Sequence, residues 1–338
     1  MGNSSDVQAK STITREADVA QAIISRITRE VHTILGEIKK VNTTRNIEKV
    51  KSEFAQIIFG DEGNEGDLDH GALKEVTDRG AACGNPGAAK KGEHAGNNLV
   101  VDFFCLCAMT IGAEGIENVC GVYVGGKGGK SKPDKHGWDE KNSPLGSSAM
   151  WASIKKGCRN LMHQHPKSTE EGKEILGDYV KHLKSGGVYR WDSGKQSERK
   201  RGMLGTGVVT NDGSEKGPAC NGKKGSGRGQ PPAGICVYYG LDNWDHNIDW
   251  LNRFKTALAM VDALNNKTAN IQRDIEKLHM LLHRAEEIYE TTNVISKVQN
   301  PVIPTSLQTA AKRLTAYNAA WRHPRYAHFL APWVILLL

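Results

Sequence analysis

Apolar residues recur along two stretches of this chain at alternating four- and three-residue steps. In the later stretch, within Ile248 to Val298, Ile271, Ile275, Leu278, Leu282, Ala285 and Tyr289 keep that rhythm. Such spacing holds one apolar seam on one side of a helix, the pattern of a coiled coil. Leu251, Phe254, Leu258 and Val261 extend the seam upstream, with a slip between Leu264 and Ile271. In the earlier stretch Ala20, Ile24, Ile27, Val31, Ile34, Ile38 and Val41 repeat it without a miss. Arg26, Arg29, Glu30, Glu37 and Lys39 fill the solvent face between them. After a slip between Val41 and Ile47, the seam resumes at Val50, Phe54 and Ile57.

The pattern predicts two long helices, at about 13–59 and 243–299. Asp242 or Asn243 is placed to cap the second, and Asn300-Pro301 to end it. A helix of this length runs roughly 65–70 Å at its usual rise per residue. Neither helix can bury its seam alone, so the economical solution packs them antiparallel. The expected fold is mainly α: an elongated antiparallel coiled coil of two long helices, with a loop-rich lobe at 60–242 between them.

The cysteines bear on that lobe. All seven (Cys83, Cys105, Cys107, Cys120, Cys158, Cys220 and Cys236) lie between the two helices, and no Cys-x-x-Cys occurs. Clustering without metal-ligand spacing points to disulfides that staple the lobe in an oxidising compartment, with one cysteine left free or bridging two chains. Cys220 and Cys236 bracket a hydrophilic segment that a disulfide could close at its base. Three N-glycosylation sequons, at Asn3, Asn42 and Asn266, agree with a secreted setting, and the latter two lie near the slips in the seams.

Within the lobe, Leu99–Met109 is an apolar element flanked by cysteines that can pin it. Trp151, Ile154 and Cys158 share one face of a short helix, and Ile175–Leu183 reads as another. The stretch from Gly186 to Gly234 is the least regular, dominated by Gly, Lys, Ser and Pro. Three chemical motifs are suggested and each falls short. Gly125–Ser131 is glycine- and lysine-rich, but Val124 stands where a phosphate loop needs its first glycine. Asp67-Leu-Asp69-His-Gly71 only approaches a calcium loop. His163 and His165 lack a third ligand at a supporting spacing. No catalytic constellation emerges, and no cofactor or metal is expected.

The net charge is +7 and 38% of residues are hydrophobic, which suits a thin helical body with much surface. Many cations lie beside acids on helix faces, or in glycine-rich loops without interleaved aromatics, so no nucleic-acid partner is expected. Met1 leads into polar sequence without the apolar run of a secretory leader. At the other end, Asn318-Ala-Ala320, a mainly polar spacer and the apolar Phe329–Leu338 follow the layout of a GPI-attachment signal, with Asn318 the attachment candidate. Ten apolar residues are too few to span a bilayer.

Cys83, the Cys105-Leu-Cys107 element, Trp151 ahead of Cys158 in a short helix, the two heptad helices and the terminal signal occur here in an order that resembles the variant surface glycoproteins of African trypanosomes. The similarity covers most of the chain and is to their N-terminal domain, here residues 1–300, with 301–338 as a short tail. The resemblance implies a homodimer on the plasma membrane through a lipid anchor, packed among neighbouring coat proteins. It would shield the parasite and escape host antibodies by antigenic replacement. The alternative is a trypanosome surface receptor for a host protein, built on the same helical scaffold.

Overall fold

The computed structural model describes residues 4–41, 43–111, 118–125, 136–139, 142–161, 166–191, 196–208, 219–222 and 234–299. In chain order they form α1 (Ser4–Lys40), α2 (Thr43–Phe59), α3 (Arg79–Cys83), β1 (Gly84–Asn85), β2 (Lys90–Lys91), α4 (Leu99–Cys107) and α5 (Ser147–Leu161). These are followed by α6 (Thr169–Ser185), β3 (Gly187–Trp191), β4 (Gln196–Lys200), β5 (Met203–Val208), β6 (Ile235–Tyr238), α7 (Trp244–Asn247) and α8 (Asp249–Gln299). The chain is mainly helical and divides into two compact units: up to Asn46 with the part of α8 from Ala263, and Ile47–Asp262.

In the first unit, Ile27 and Ile34 lie one heptad apart on α1 and are each only 7% exposed. Glu30, between them, takes an ion pair from Lys277 of α8 at 2.7 Å. The first predicted helix is in fact two. α1 ends at Lys40, where the Val41 N–H turns back to Ile38 O at 3.1 Å, and α2 begins at Thr43. The break falls on the slip seen in the seam: continuing the helix there would have carried the apolar stripe off its face. Asn-Thr-Thr, the sequence at this point, consists of types that compete with helix hydrogen bonds.

On α8 the register also differs from expectation. Leu282 and Tyr289 are 38% and 49% exposed, whereas Leu281 and Ile288 are half-buried. Leu282 and Tyr289 each have an apolar neighbour one residue earlier, so hydropathy alone could not choose between them.

The second unit carries most of the core. α2 contributes Val50, Phe54, Ile57 and Ile58, none more than 4% exposed, and Phe54 meets Phe254 of α8 edge-on at 5.4 Å. Arg253 fixes the same junction, pairing with Asp61 at 2.7 Å and donating to Gln56 Oε1 at 2.9 Å. Leu251 and Leu258 of the upstream seam are buried. α8 does not begin at Asn243, however. Asn243 lies at φ +53° and makes no side-chain cap bond; the single turn α7 follows it, and extended Ile248 separates α7 from α8. Fully buried Ile248 and the Trp244 indole donating to Gly240 O explain the interruption: both side chains are tied to the core, not to a helix surface.

The apolar run after Leu99 is helix α4. Asn98 caps it, accepting from the Val101 N–H at 3.0 Å while donating to Ala72 O at 2.9 Å, and Val100, Val101 and Phe104 are fully buried. α4 packs on β6, all four of whose residues are buried. That strand belongs to a sheet of order β4-β3-β5-β6, with β3 antiparallel to β4 and parallel to β5, and β5 antiparallel to β6. The stretch expected to be least regular therefore holds three of these strands. Its polar edge strand (Gln-Ser-Glu-Arg-Lys) and the glycines of β5 conceal the period-two signal.

Candidate functional site

Six cysteines pair locally: Cys83–Cys105, Cys107–Cys120 and Cys220–Cys236, with Cα–Cα distances of 5.7, 5.4 and 5.0 Å. The first ties α3 to α4, and the third joins β6 to the segment at Cys220. Cys158, half-buried on α5, is in no disulfide, and burial pushes its thiol up from the ordinary range. Asn266 stands exposed on α8, where a glycan would meet solvent. Asn3, Asn42, His163, His165, Asn318, the tail 301–338 and all of the glycine- and lysine-rich loop after Gly125 lie outside the described residues.

Two buried charges went unremarked in the sequence. The available signal was an acid inside an apolar run, Leu-Val-Val-Asp-Phe-Phe. Asp102 Oδ2 accepts from the Tyr239 hydroxyl at 2.8 Å and the Trp250 indole at 2.7 Å, while Oδ1 accepts from the Gly96 N–H at 2.9 Å. Gly96 needs φ +85° to present that N–H, and a side chain there would run into Asn247 and Ile248. Burial pushes the Asp102 carboxyl up to about 6, against the three hydrogen bonds, which favour the charged form. Arg79 is fully buried beneath Gly222 and donates to Trp138 O at 3.1 Å, Cys105 O at 3.0 Å and Phe104 O at 3.4 Å. Desolvation brings its guanidinium down to about 9. Two of its acceptors are carbonyls at the C-terminus of α4, where a cation is favoured.

Chemically this cluster binds elements together. Asp102 is shared by α4, the strand end at Tyr239 and the first turn of α8, and among the described residues its hydrogen bonds come from a phenol, an indole and a backbone N–H. A cleft of about 370 Å³ lies between α3, the β1–β2 hairpin and the Ala219–Asn221 segment, lined by Asp78, Asn85, Lys90 and Lys91 among others. It is open, and its lining mixes polar side chains with Gly80, Ala81, Gly84 and Ala219. Among the described residues no group of three or more His, Cys, Asp or Glu is gathered as for a metal, and no helix is long and apolar enough to cross a membrane.

The described residues form a scaffold of stapled short elements and one 51-residue helix. In comparison with known families, the model of the trypanosomal VSG domain matches residues 3–300, nearly the whole chain. The chain belongs to this family. A variant surface glycoprotein of Trypanosoma congolense, YnAT 1.3, is 26% identical over 285 residues, covering 77% of this chain and 59% of that protein. The present VSG domain thus spans well under two thirds of the length of this relative. The family is one of surface coat proteins and not of enzymes.

Proposed function

We propose that this VSG domain is the exposed part of a GPI-anchored surface coat glycoprotein, which shields the parasite and serves immune evasion by antigenic variation. The observation that carries the reading is the family match over residues 3–300. Three local disulfides and exposed Asn266 support it, since both suit the oxidising, glycosylating route to a cell surface. In this reading α1 and the distal part of α8 pair as an antiparallel coiled coil, for which the Glu30–Lys277 ion pair is the supporting contact. Exposed Leu282, Tyr289 and Val294 support a homodimer, because a second copy would cover them. Neighbouring coat proteins, host antibodies and the plasma membrane, through a lipid anchor at Asn318, complete the partners. Asn3, Asn42 and Asn266 are the proposed glycan sites. The receptor alternative has no observation of its own in favour.

The test is expression of the epitope-tagged protein in trypanosomes behind a functional secretory leader. Antibody labelling of intact cells, lost after treatment with a phosphatidylinositol-specific phospholipase, is the expected outcome. Retention inside the cell, or labelling that resists the enzyme, rejects the anchored-coat reading.

A further inference from the structure

One corner of the second unit gathers cations from two elements. α6 ends at Ser185, and its last turn carries exposed His182 and Lys184. The turn joining β4 to β5 is fastened to that helix end. The Gly202 N–H donates to Leu183 O at 2.9 Å, and Arg199 Nη1 reaches Gly186 O at 3.2 Å. Gly187 pairs with Lys200 across the ladder. Gly202 adopts φ +74°, and a side chain there would collide with Gly240 O, so this approach is specific to glycine. Lys184, Arg199, Lys200 and Arg201 are thereby brought to one corner on a rigid frame.

Elsewhere among the described residues of this unit some cations, such as Lys49 and Lys156, stand singly, while Lys51, Lys74, Lys90, Lys155, Lys173, Lys181, Arg253 and Lys255 each pair with a carboxylate. Among the described residues none of the four corner cations does. Arg199 spends one donor on a carbonyl, and Arg201 lies over the Trp244 ring at 5.2 Å. The acids Glu198, beside Arg199 on β4, and Asp242, just beyond the Gly240 on which Gly202 packs, are outnumbered, and Asp178 is held by Lys181 at 2.7 Å. With Lys184, Arg199 and Arg201 exposed and Lys200 half-buried, cations held on a fixed backbone form a positive potential to which a flexible polyanion is drawn. Guanidinium forks match the oxygens of sulfate and phosphate.

We propose that this corner is a docking site for a linear sulfated polysaccharide. The three disulfides belong to an oxidising space, where polyanions are glycans rather than nucleic acids. The aromatic ring at the corner cannot serve as a stacking platform for bases, since Trp244 is only 8% exposed and Arg201 covers it. The nearby exposed apolar side chain is Leu241, at 49%, too little apolar area to anchor on a lipid surface. The inference goes beyond the coat reading and stands independently of it.

The experiment is biolayer interferometry of the full chain with a heparin-derived octasaccharide. Chemically desulfated octasaccharide, phosphatidylserine vesicles and single-stranded DNA are run alongside. Octasaccharide binding that weakens steeply as salt rises past about 0.1 M, and fails after desulfation, is expected. The Lys184→Ser/Lys200→Ser pair, which spares the Arg199 and Arg201 contacts, should weaken it by about tenfold with unchanged circular dichroism. A control pair removing the same charge elsewhere, Lys49→Ser/Lys156→Ser, should stay within about twofold. No octasaccharide binding, equal weakening in the two pairs, or tighter binding to vesicles or DNA would overturn the proposal.

Discussion

Asp102 and Arg79 carry opposite charges into one core without pairing with each other, so each is held by its own neighbours. For Asp102 burial raises the carboxyl from 3.8 to about 6, with the three hydrogen bonds opposing. The folded protein therefore keeps a proton that the unfolded chain releases between these pH values. This contribution to stability is fully present below about 4 and is lost as pH rises through about 6. It amounts to about 3 kcal/mol. Thermal melts of wild type and Asp102→Asn from pH 4 to pH 7 should show wild type losing stability relative to the variant across that window; parallel curves would refute the assignment. Exposed Asp178 and half-buried Asp262 act in the opposite sense, since hydrogen bonds from Lys181, and from Thr169 and Lys173, hold their carboxyls below the usual range. Arg79→Met leaves three carbonyls without their donor and should cost about 3 kcal/mol, measured by urea unfolding.

Individual elements differ in how firmly they are specified. On α1, Ile27 is 7% exposed and Val19 is 54% exposed, although both look like helix positions of a seam-bearing segment. Ile27→Asp should destabilise by about 3 kcal/mol or more, whereas Val19→Asp should fall within about 0.5 kcal/mol. Equal melting temperatures for the two variants would mean the buried face of α1 is misassigned. The disulfide between α3 and α4 closes a loop of sequence separation 22 that contains Asp102 and starts just after Arg79. Replacing Cys83 and Cys105 together by Ser should cost about 2–4 kcal/mol, read as a lower denaturant midpoint. Both helices were legible only in part: α4 as an apolar run pinned by cysteines, α1 as a seam whose break appeared as a slip.

For the molecule as a whole, the two units should respond differently to reduction, because every disulfide lies in the second. Thiol reductant should loosen aromatic packing there, lowering near-ultraviolet circular dichroism, while the far-ultraviolet signal of α1 and the distal part of α8 persists. Simultaneous collapse of both signals would refute this division. Enzymatic removal of N-glycans from protein made in trypanosomes should lower its mass, with Asn266 among the sites.

The sequence alone determined that the two heptad-bearing stretches are helical, the grouping of cysteines between them and the family, because these rest on local periodicity and on the order of a few residue types. It left open which of Leu281 or Leu282, and Ile288 or Tyr289, turns inward, since both members of each pair are apolar and a helix face is chosen by what packs against it. Nor did it reveal the four-stranded sheet, whose edge strand β4 is polar and whose β3 pairs in parallel with β5 after an intervening hairpin. Such pairings are non-local, and their signal lies in partners that only the folded chain brings together. The corner at Lys184, Lys200 and Arg201 is the same kind of fact. Lys184 is separated along the sequence from the run Arg199-Lys200-Arg201, and a glycine turn fastened to a helix end makes them neighbours.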